Sequence, residues 1–291
     1  MWETANNSLI GNRKINQDRC AILGDERCYL LLLSDGLGGH PKGEVAAQIF
    51  IDTGKIAFSS SIKPIPKPQE FLDRIICTAH EAILAFGNKQ IPPINPRATA
   101  VLALIQDKKV FWRHVGDSRL YLFRQSKIVM RTRDHSVLEA MNINQNDPNN
   151  ATAMRYKNLV TRCLGGTKRV LIDNGYNDPI TLYPMDILLL CTDGLWGQFN
   201  ERILGLKIIN PIPLDRLATE LANEAYQAAK PRSDNITLII ARWMNNQIEP
   251  PSELTDTQIN SETTINHDSA FKETIATLRS ALDIFSSRKK P

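Results

Sequence analysis

Short apolar runs separated by turn sequences dominate the first 245 residues of the chain. Five runs lie at 29–34, 98–105, 110–115, 120–124 and 128–131, and two more lie at 187–191 and 236–243. Runs of this length are typical of strands, and short connections favour the pairing of successive strands as hairpins. We therefore predict antiparallel sheets in which successive strands of the chain lie side by side.

Helical spacing of apolar residues occurs outside these runs, at 44–58, 70–86 and 214–229. The proline-rich stretches 63–68 and 91–96 are predicted to be loops, because proline disrupts both helices and central strands. Paired strands with helices grouped around them indicate a layered, antiparallel α+β fold.

The composition changes after residue 245. Residues 246–268 are rich in Thr, Asn, Glu and Asp and contain no Lys or Arg, which predicts a flexible acidic linker. Residues 269–291 are predicted to form an amphipathic C-terminal helix with a basic tail. The apolar stripe of this helix consists of Phe271, Ile275, Leu278, Leu282 and Phe285. Because an isolated helix of this length is marginally stable in water, we expect it to dock on domain 1–245, on a partner or on a second copy.

The composition excludes several classes of protein. With 42% hydrophobic and 23% charged residues, the chain is typical of globular proteins. A net charge of +4 is too small to indicate nucleic-acid binding. No apolar run is long enough for a membrane span, and no secretion signal is recognisable at the N-terminus. The five cysteines include no C-x-x-C pair, so neither a zinc site nor a disulfide framework is predicted, and we expect a cytoplasmic protein.

Two apolar runs end in the same three residues, Asp-Gly-Leu. They place Asp35 and Asp193 directly after predicted strands. A single Asp-Gly pair is usually only a turn, but two nearly identical strand ends favour a shared role in binding.

Three further aspartates lie in turn sequences next to predicted strands: Asp18, Asp117 and Asp234. Each one alone is more typical of a turn or cap. If all five aspartates converge at one end of a sheet, their repulsion must be offset. Sites made of oxygen ligands suit Mg²⁺ or Mn²⁺.

Seven motifs along residues 1–245 together resemble the metal-dependent protein phosphatases of type 2C, in their compact bacterial form. The motifs are GNRKINQD at 11–18, SDGLGGHPKGE at 34–44, VGDSRLY at 115–121, TRDHS at 132–136, NLVTRCLG at 158–165, CTDGLW at 191–196 and SDNIT at 233–237. The resemblance implies a four-layer α-β-β-α sandwich of two antiparallel sheets flanked by helices, with a metal site at one end.

The resemblance also implies a set of metal ligands, namely Asp18, Asp35, Gly36, Asp117, Asp193 and Asp234. Asp35 would bridge two Mn²⁺ or Mg²⁺ ions, and the carbonyl of Gly36 would bind one of them. Asp193 and Asp234 would hold one ion, and Asp18 would help to hold the other through water. Asp117 would share a weaker third ion with Asp193. A hydroxide between the two ions would then attack phosphorus.

Two further residues are implied to act on the substrate. Arg13 would clamp the phosphate, since a guanidinium binds phosphate oxygens in pairs, although a solvated surface arginine is the plainer interpretation. His40 would protonate the leaving alkoxide, or would only orient its glycine-rich loop. Asp35, Asp193, Arg13 and His40 are thus the predicted catalytic residues.

The sequence departs from the family pattern at three places. Gln17 stands where the family often has glutamate, and residues 98–100 read Ala-Thr-Ala in place of a Gly-Thr-Thr type sequence. The polar segment 142–150 occupies the position of a variable flap. None of these removes a principal ligand.

The function predicted from this resemblance is hydrolysis of phosphoserine and phosphothreonine on proteins, opposing a Ser/Thr kinase. A pseudophosphatase that only binds phosphoproteins, and a phosphatase for small phosphate esters, remain the alternatives.

Overall fold

The computed structural model describes residues 2–24, 27–143, 151–156, 159–173 and 178–244. The strands are β1 (Trp2–Leu9), β2 (Arg19–Gly24), β3 (Cys28–Ser34), β4 (Arg97–Ala98), β5 (Ala100–Gln106), β6 (Lys109–Val115), β7 (Arg119–Arg124), β8 (Lys127–Arg131), β9 (Leu164–Gly165), β10 (Ile180–Thr181), β11 (Ile187–Cys191) and β12 (Ile236–Trp243). The helices are α1 (Gly43–Ser59), α2 (Pro68–Asn88), α3 (Val137–Ala140), α4 (Ala151–Tyr156), α5 (Asp193–Trp196), α6 (Glu201–Ile208) and α7 (Leu214–Ala229). The predicted linker 246–268, the predicted helix and tail 269–291 and most of the predicted flap 142–150 lie outside the described residues.

Within the described ranges, the strands form two five-stranded antiparallel sheets. The strand orders are β1-β12-β11-β7-β8 and β10-β6-β5-β3-β2, and β4 pairs separately with β9. In the first sheet, β1 pairs with β12 along its whole length, from Trp2 opposite Trp243 to Leu9 opposite Ile236. The strands at the two ends of the folded domain are therefore joined.

Three hydrophobic layers separate the sheets and helices. In β3, Leu30 and Leu32 pack with the apolar faces of α1 and α2, whereas Leu31 and Leu33 pack against the other sheet. The side chains of β11 alternate in the same way. One face packs against α7, and the other face packs against the opposite sheet. Covering both faces explains why these strands read as continuous apolar runs. The predicted four-layer α-β-β-α sandwich, an α+β fold, is confirmed.

One part of the predicted strand pairing was wrong. The runs 110–115 and 120–124 were expected to form a hairpin, but β6 and β7 belong to different sheets. Between them Gly116 has φ of +110°, and a Cβ there would lie 2.7 Å from the Thr99 side chain. The chain therefore turns out of the plane of one sheet and crosses to the other, where β7 pairs with β11.

A search of the described residues finds no helix that combines the length and the apolar character required for a membrane span.

Candidate metal centre

All five predicted aspartates lie at the same end of the sandwich. Asp35 follows β3, Asp193 follows β11, Asp18 precedes β2, Asp234 precedes β12, and Asp117 lies between β6 and β7. Because these strands are antiparallel, the end of one meets the beginning of the next, as Arg19 meets Ser34 and Arg119 meets Cys191. The two sheets thus contribute carboxylates to one cluster.

The electrostatics of the cluster reflect this crowding. Burial, partly opposed by hydrogen bonds, raises the pKa of Asp18 to about 6, and the negative charge of Asp234 adds to the rise. Burial and then the charge of Asp134 raise the pKa of Asp117 to about 7. Burial also raises the pKa values of Asp35 and Asp193 well above the ordinary range, and the neighbouring aspartates raise them further. A cluster of this kind needs positive charge to stay ionised at neutral pH.

One carboxylate oxygen tests directly whether a cation fits. Asp18 is 2% exposed, and its Oδ2 accepts a hydrogen bond from Thr192 Oγ1 at 3.0 Å. Its Oδ1 is buried and has no hydrogen-bond partner among the described residues. A buried oxygen left without a partner is costly, and a bound divalent cation or its water shell supplies one. The residues present therefore fit Mg²⁺ or Mn²⁺, whose preferred ligands are carboxylate oxygens.

Thr99 fixes the position of Asp35. The backbone N–H of Thr99 donates to the Asp35 carbonyl at 2.8 Å, and the Asp35 N–H donates to Thr99 Oγ1 at 2.9 Å. The same hydroxyl lies 2.7 Å from Ser118 Oγ, next to Asp117. Thr99 also separates β4 from β5, which divides the predicted strand 98–105. The Ala-Thr-Ala variation at 98–100 thus keeps the side chain that fixes Asp35.

Asn235 holds the loop before β2 against the loop before β12. Its side chain donates to the carbonyls of Ile10 and Ile15 at 2.8 and 3.1 Å and accepts from Gln17 N at 2.8 Å. Gly11, at φ of +63°, packs so closely that a Cβ would overlap the Asp234 backbone carbonyl. Asp18 and Asp234 are therefore positioned by backbone contacts.

Arg13 reaches the cluster through an exposed ion pair. Its Nη2 lies 2.6 Å from Asp234 Oδ2, and the two side chains are 54% and 36% exposed. Because solvent screens such pairs, the contact contributes little stability. His40 lies in the loop between β3 and α1, and its pKa is lowered by partial burial and by the positive charge of Arg97.

A second set of side chains, which the sequence did not reveal, holds Asp117. Trp196 Nε1 donates to the Asp117 carbonyl at 3.0 Å. The guanidinium of Arg119 lies 3.6 Å from the centre of the Trp196 ring and makes two bonds of 2.8 and 2.7 Å to Asp134. The motifs GDSR, RDHS and TDGLW contain these residues, but spacing alone gives no sign of their contacts.

Behind this turn, His114, His135 and Asp173 bring three donor atoms within 4.8 Å of one another. His135 Nδ1 accepts from Gly116 N at 3.2 Å, which leaves the proton of the neutral ring on Nε2, 3.7 Å from Asp173 Oδ2. A metal at Nε2 would need a ring that has lost both protons. The group therefore orients the Gly116 turn instead of forming a second metal site.

The comparisons with known proteins agree with this geometry. A family model described as Protein phosphatase 2C matches residues 7–229. Protein phosphatase PhpP from Streptococcus pneumoniae serotype 2 (strain D39 / NCTC 7466) is 28% identical over 213 residues, which cover 72% of this chain and 84% of that protein. The solved structure of serine/threonine phosphatase Stp1 from Staphylococcus aureus has a TM-score of 0.73 and 26% identity, covering 84% of this chain and 96% of that one. The catalytic domain of serine threonine protein phosphatase PstP, solved in complex with 2 manganese ions, has a TM-score of 0.68 and 24% identity, covering 84% of this chain and 99% of that one. Because the family model spans most of the sequence, the chain belongs to the protein phosphatase 2C family.

Proposed function

We propose that this protein hydrolyses phosphoserine and phosphothreonine on protein substrates with the help of two Mn²⁺ or Mg²⁺ ions and a weaker third. The observation that carries the proposal is the convergence of five aspartates, one of which has a buried oxygen without a partner. The names of PhpP and Stp1, and the manganese ions in PstP, support the same activity. The proposal includes an opposing Ser/Thr kinase and a cytoplasmic location.

The proposed ligands are Asp18, Asp35, the Gly36 carbonyl, Asp117, Asp193 and Asp234. When bound, the ions lower the pKa of water and neutralise charge on the phosphoryl oxygens. Asp35, whose N–H and carbonyl both bond to Thr99, would hold the ions from the sheet that contains β3. Asp193 and Asp234 come from the other sheet and would complete one ion's ligands, while Asp117 and Asp193 would hold the third.

Two residues outside the ligand set, Arg13 and His40, would act on the substrate. Arg13 would leave Asp234 and bind two phosphoryl oxygens. His40 would hold a proton for the leaving alkoxide; if it only orients the loop, its replacement should leave the pH profile unchanged.

Substitution of Asp193 by Asn tests the proposal. The protein, the Asp193→Asn variant and an Asp52→Asn control would be assayed for Mn²⁺-dependent phosphate release from a phosphothreonine peptide and from an aryl phosphate. Asp52 is an exposed residue of α1, so its variant should keep full activity. We expect Asp193→Asn to stay folded and to lose activity by orders of magnitude, because a ligand of two ions is gone. Near-normal hydrolysis by Asp193→Asn would refute the site.

Two other results would replace the proposed function. Tight binding of a phosphopeptide by the wild-type protein without phosphate release would indicate a pseudophosphatase. Hydrolysis confined to the aryl phosphate would indicate an enzyme for small phosphate esters.

A further inference from the structure

Arg97 lies beside the metal centre, in the two-stranded sheet. Its carbonyl accepts a hydrogen bond from Leu37 N at 2.9 Å, and the following residue, Ala98, bridges to Gly36. On its other side Arg97 pairs with Gly165 of β9. The backbone of Arg97 is therefore fixed directly against the loop that follows β3.

The side chain of Arg97 has no ionic partner within the described part of the chain. It lies along Gly166, where a Cβ would come within 2.8 Å of Nε and 3.2 Å of Cζ. Its Nε is buried and has no hydrogen-bond acceptor in the ranges that the structure describes. A positive charge that loses water without gaining an acceptor is costly. The side chain as a whole is only partly buried, so an anion from outside is able to reach it.

Four other arginines that are buried or partly buried form ion pairs with carboxylates. The pairs are Arg113 with Asp73, Arg119 with Asp134, Arg124 with Asp186 and Arg242 with Glu3, at distances of 2.6 to 2.8 Å. These pairs follow the general rule that buried charges have partners. Arg97 departs from that rule at the edge of the candidate active site, where an anionic substrate arrives.

Two segments beside the candidate site are near the charge of Arg97. The positive charge of Arg97 acts on His40 of the β3–α1 loop and on Cys163, just before β9. The guanidinium therefore lies between that loop and the segment before β9. Arg13, in contrast, contacts Asp234 on the opposite sheet.

We infer that Arg97 binds an anionic group of the substrate close to the phosphorylated residue, such as an acidic side chain or a second phosphate. This inference rests on the proposed function, because it concerns the choice among phosphoprotein substrates. Arg97 would thus determine specificity, while Arg13 binds the phosphoryl group that is removed.

The test compares three phosphothreonine peptides that differ only in the flanking residues: neutral, acidic, or carrying a second phosphorylated residue. An aryl phosphate serves as a substrate without flanks. The proteins are wild type, Arg97→Gln, Arg97→Lys and the control Arg216→Gln, which alters a 70% exposed arginine on α7. Thermal melting of each protein reports folding separately from activity.

We expect Arg97→Gln to lower kcat/KM about tenfold on anionic peptides, the typical scale of one charged hydrogen bond, with little change on the neutral peptide and the aryl phosphate. Arg97→Lys should restore part of the loss, and Arg216→Gln should match wild type. The acidic and doubly phosphorylated peptides show which anion Arg97 prefers. Equal losses on all substrates, or no change in preference, would overturn the inference. Failure of the wild-type protein to hydrolyse any substrate would instead overturn the proposed function.

Discussion

Acid should destabilise this protein partly through His114, a 2% exposed histidine of β6. Burial and then the nearby His135 lower its pKa, the Arg133 carbonyl, Asp173 and Asp134 oppose the shift, and the net result is a fall from 6.5 to about 4. Between these two pH values the unfolded chain binds a proton that the folded chain does not. The contribution of His114 to stability is therefore complete above pH 6.5 and is lost as the pH falls towards 4.

The size of the effect follows from the two pKa values. Proton linkage at one site with values of 6.5 and about 4 removes about 2 kcal/mol of unfolding free energy by pH 5 and about 3 kcal/mol by pH 4. The test is urea unfolding of wild type and His114→Gln at pH 7.5, 6 and 5. Glutamine keeps a donor for the Arg133 carbonyl, with which His114 Nε2 makes a 2.8 Å bond, but it does not titrate.

Between pH 7.5 and 5, the variant should lose about 2 kcal/mol less than wild type. The aspartates titrate in both proteins, so their effect cancels in this difference. His40 is a loop histidine with little burial, so the unfolding free energy of His40→Gln should change with pH almost as that of wild type does. Parallel losses in wild type and His114→Gln would refute the reasoning.

Three other predictions concern the site and the tail. Arg13→Ala should raise KM for an aryl phosphate severalfold and leave the Mn²⁺ concentration for half activation unchanged, and an unchanged KM would count against the phosphate clamp. Mn²⁺ at one hundred times its Kd should stabilise the folded protein by about 2.7 kcal/mol. A melting temperature that changes neither with Mn²⁺ nor with a chelator would contradict the metal site. Truncation after Asn246 should keep kcat/KM on the aryl phosphate within about tenfold, or ~1.4 kcal/mol. A larger loss would show that the tail belongs to the catalytic unit. Light scattering of the full-length and truncated proteins would show whether the tail holds two copies of the chain together.

The parts of the fold that could be predicted are those whose signal is local. Three predicted elements match the observed ones, namely the runs at 187–191 and 236–243 and the helix at 214–229. Their buried positions are occupied by apolar residues at regular spacing, and this pattern is visible in the sequence. Strand β1 was missed since its sequence, WETANNSL, is mostly polar and lies at a sheet edge. Its strand conformation depends on pairing with β12, more than 200 residues away, which no local pattern encodes.

The candidate site divides in the same way. The identity of the five aspartates was predicted from repeated strand ends and from motifs, and the structure brings those residues together. The groups that hold them could not be predicted, because Thr99, Trp196 and Asn235 act through contacts between distant segments. Arg97 could not be predicted from the sequence for a related reason. Whether its Nε has a hydrogen-bond acceptor depends on which segments surround it in the fold.

The aspartate cluster draws on both sheets, and this has a consequence for how the molecule matures. Asp18 and Asp35 belong to one sheet, whereas Asp193 and Asp234 belong to the other. Asp234 immediately precedes β12, the last strand of the described residues, which pairs with β1. A half-made chain, even one in which β2, β3, β5 and β6 have paired, therefore lacks Asp193 and Asp234, two of the proposed ligands. With Asp234 among the proposed ligands, dephosphorylation should begin only once β12 is in place, so the catalyst cannot act on phosphoproteins before its two sheets have formed.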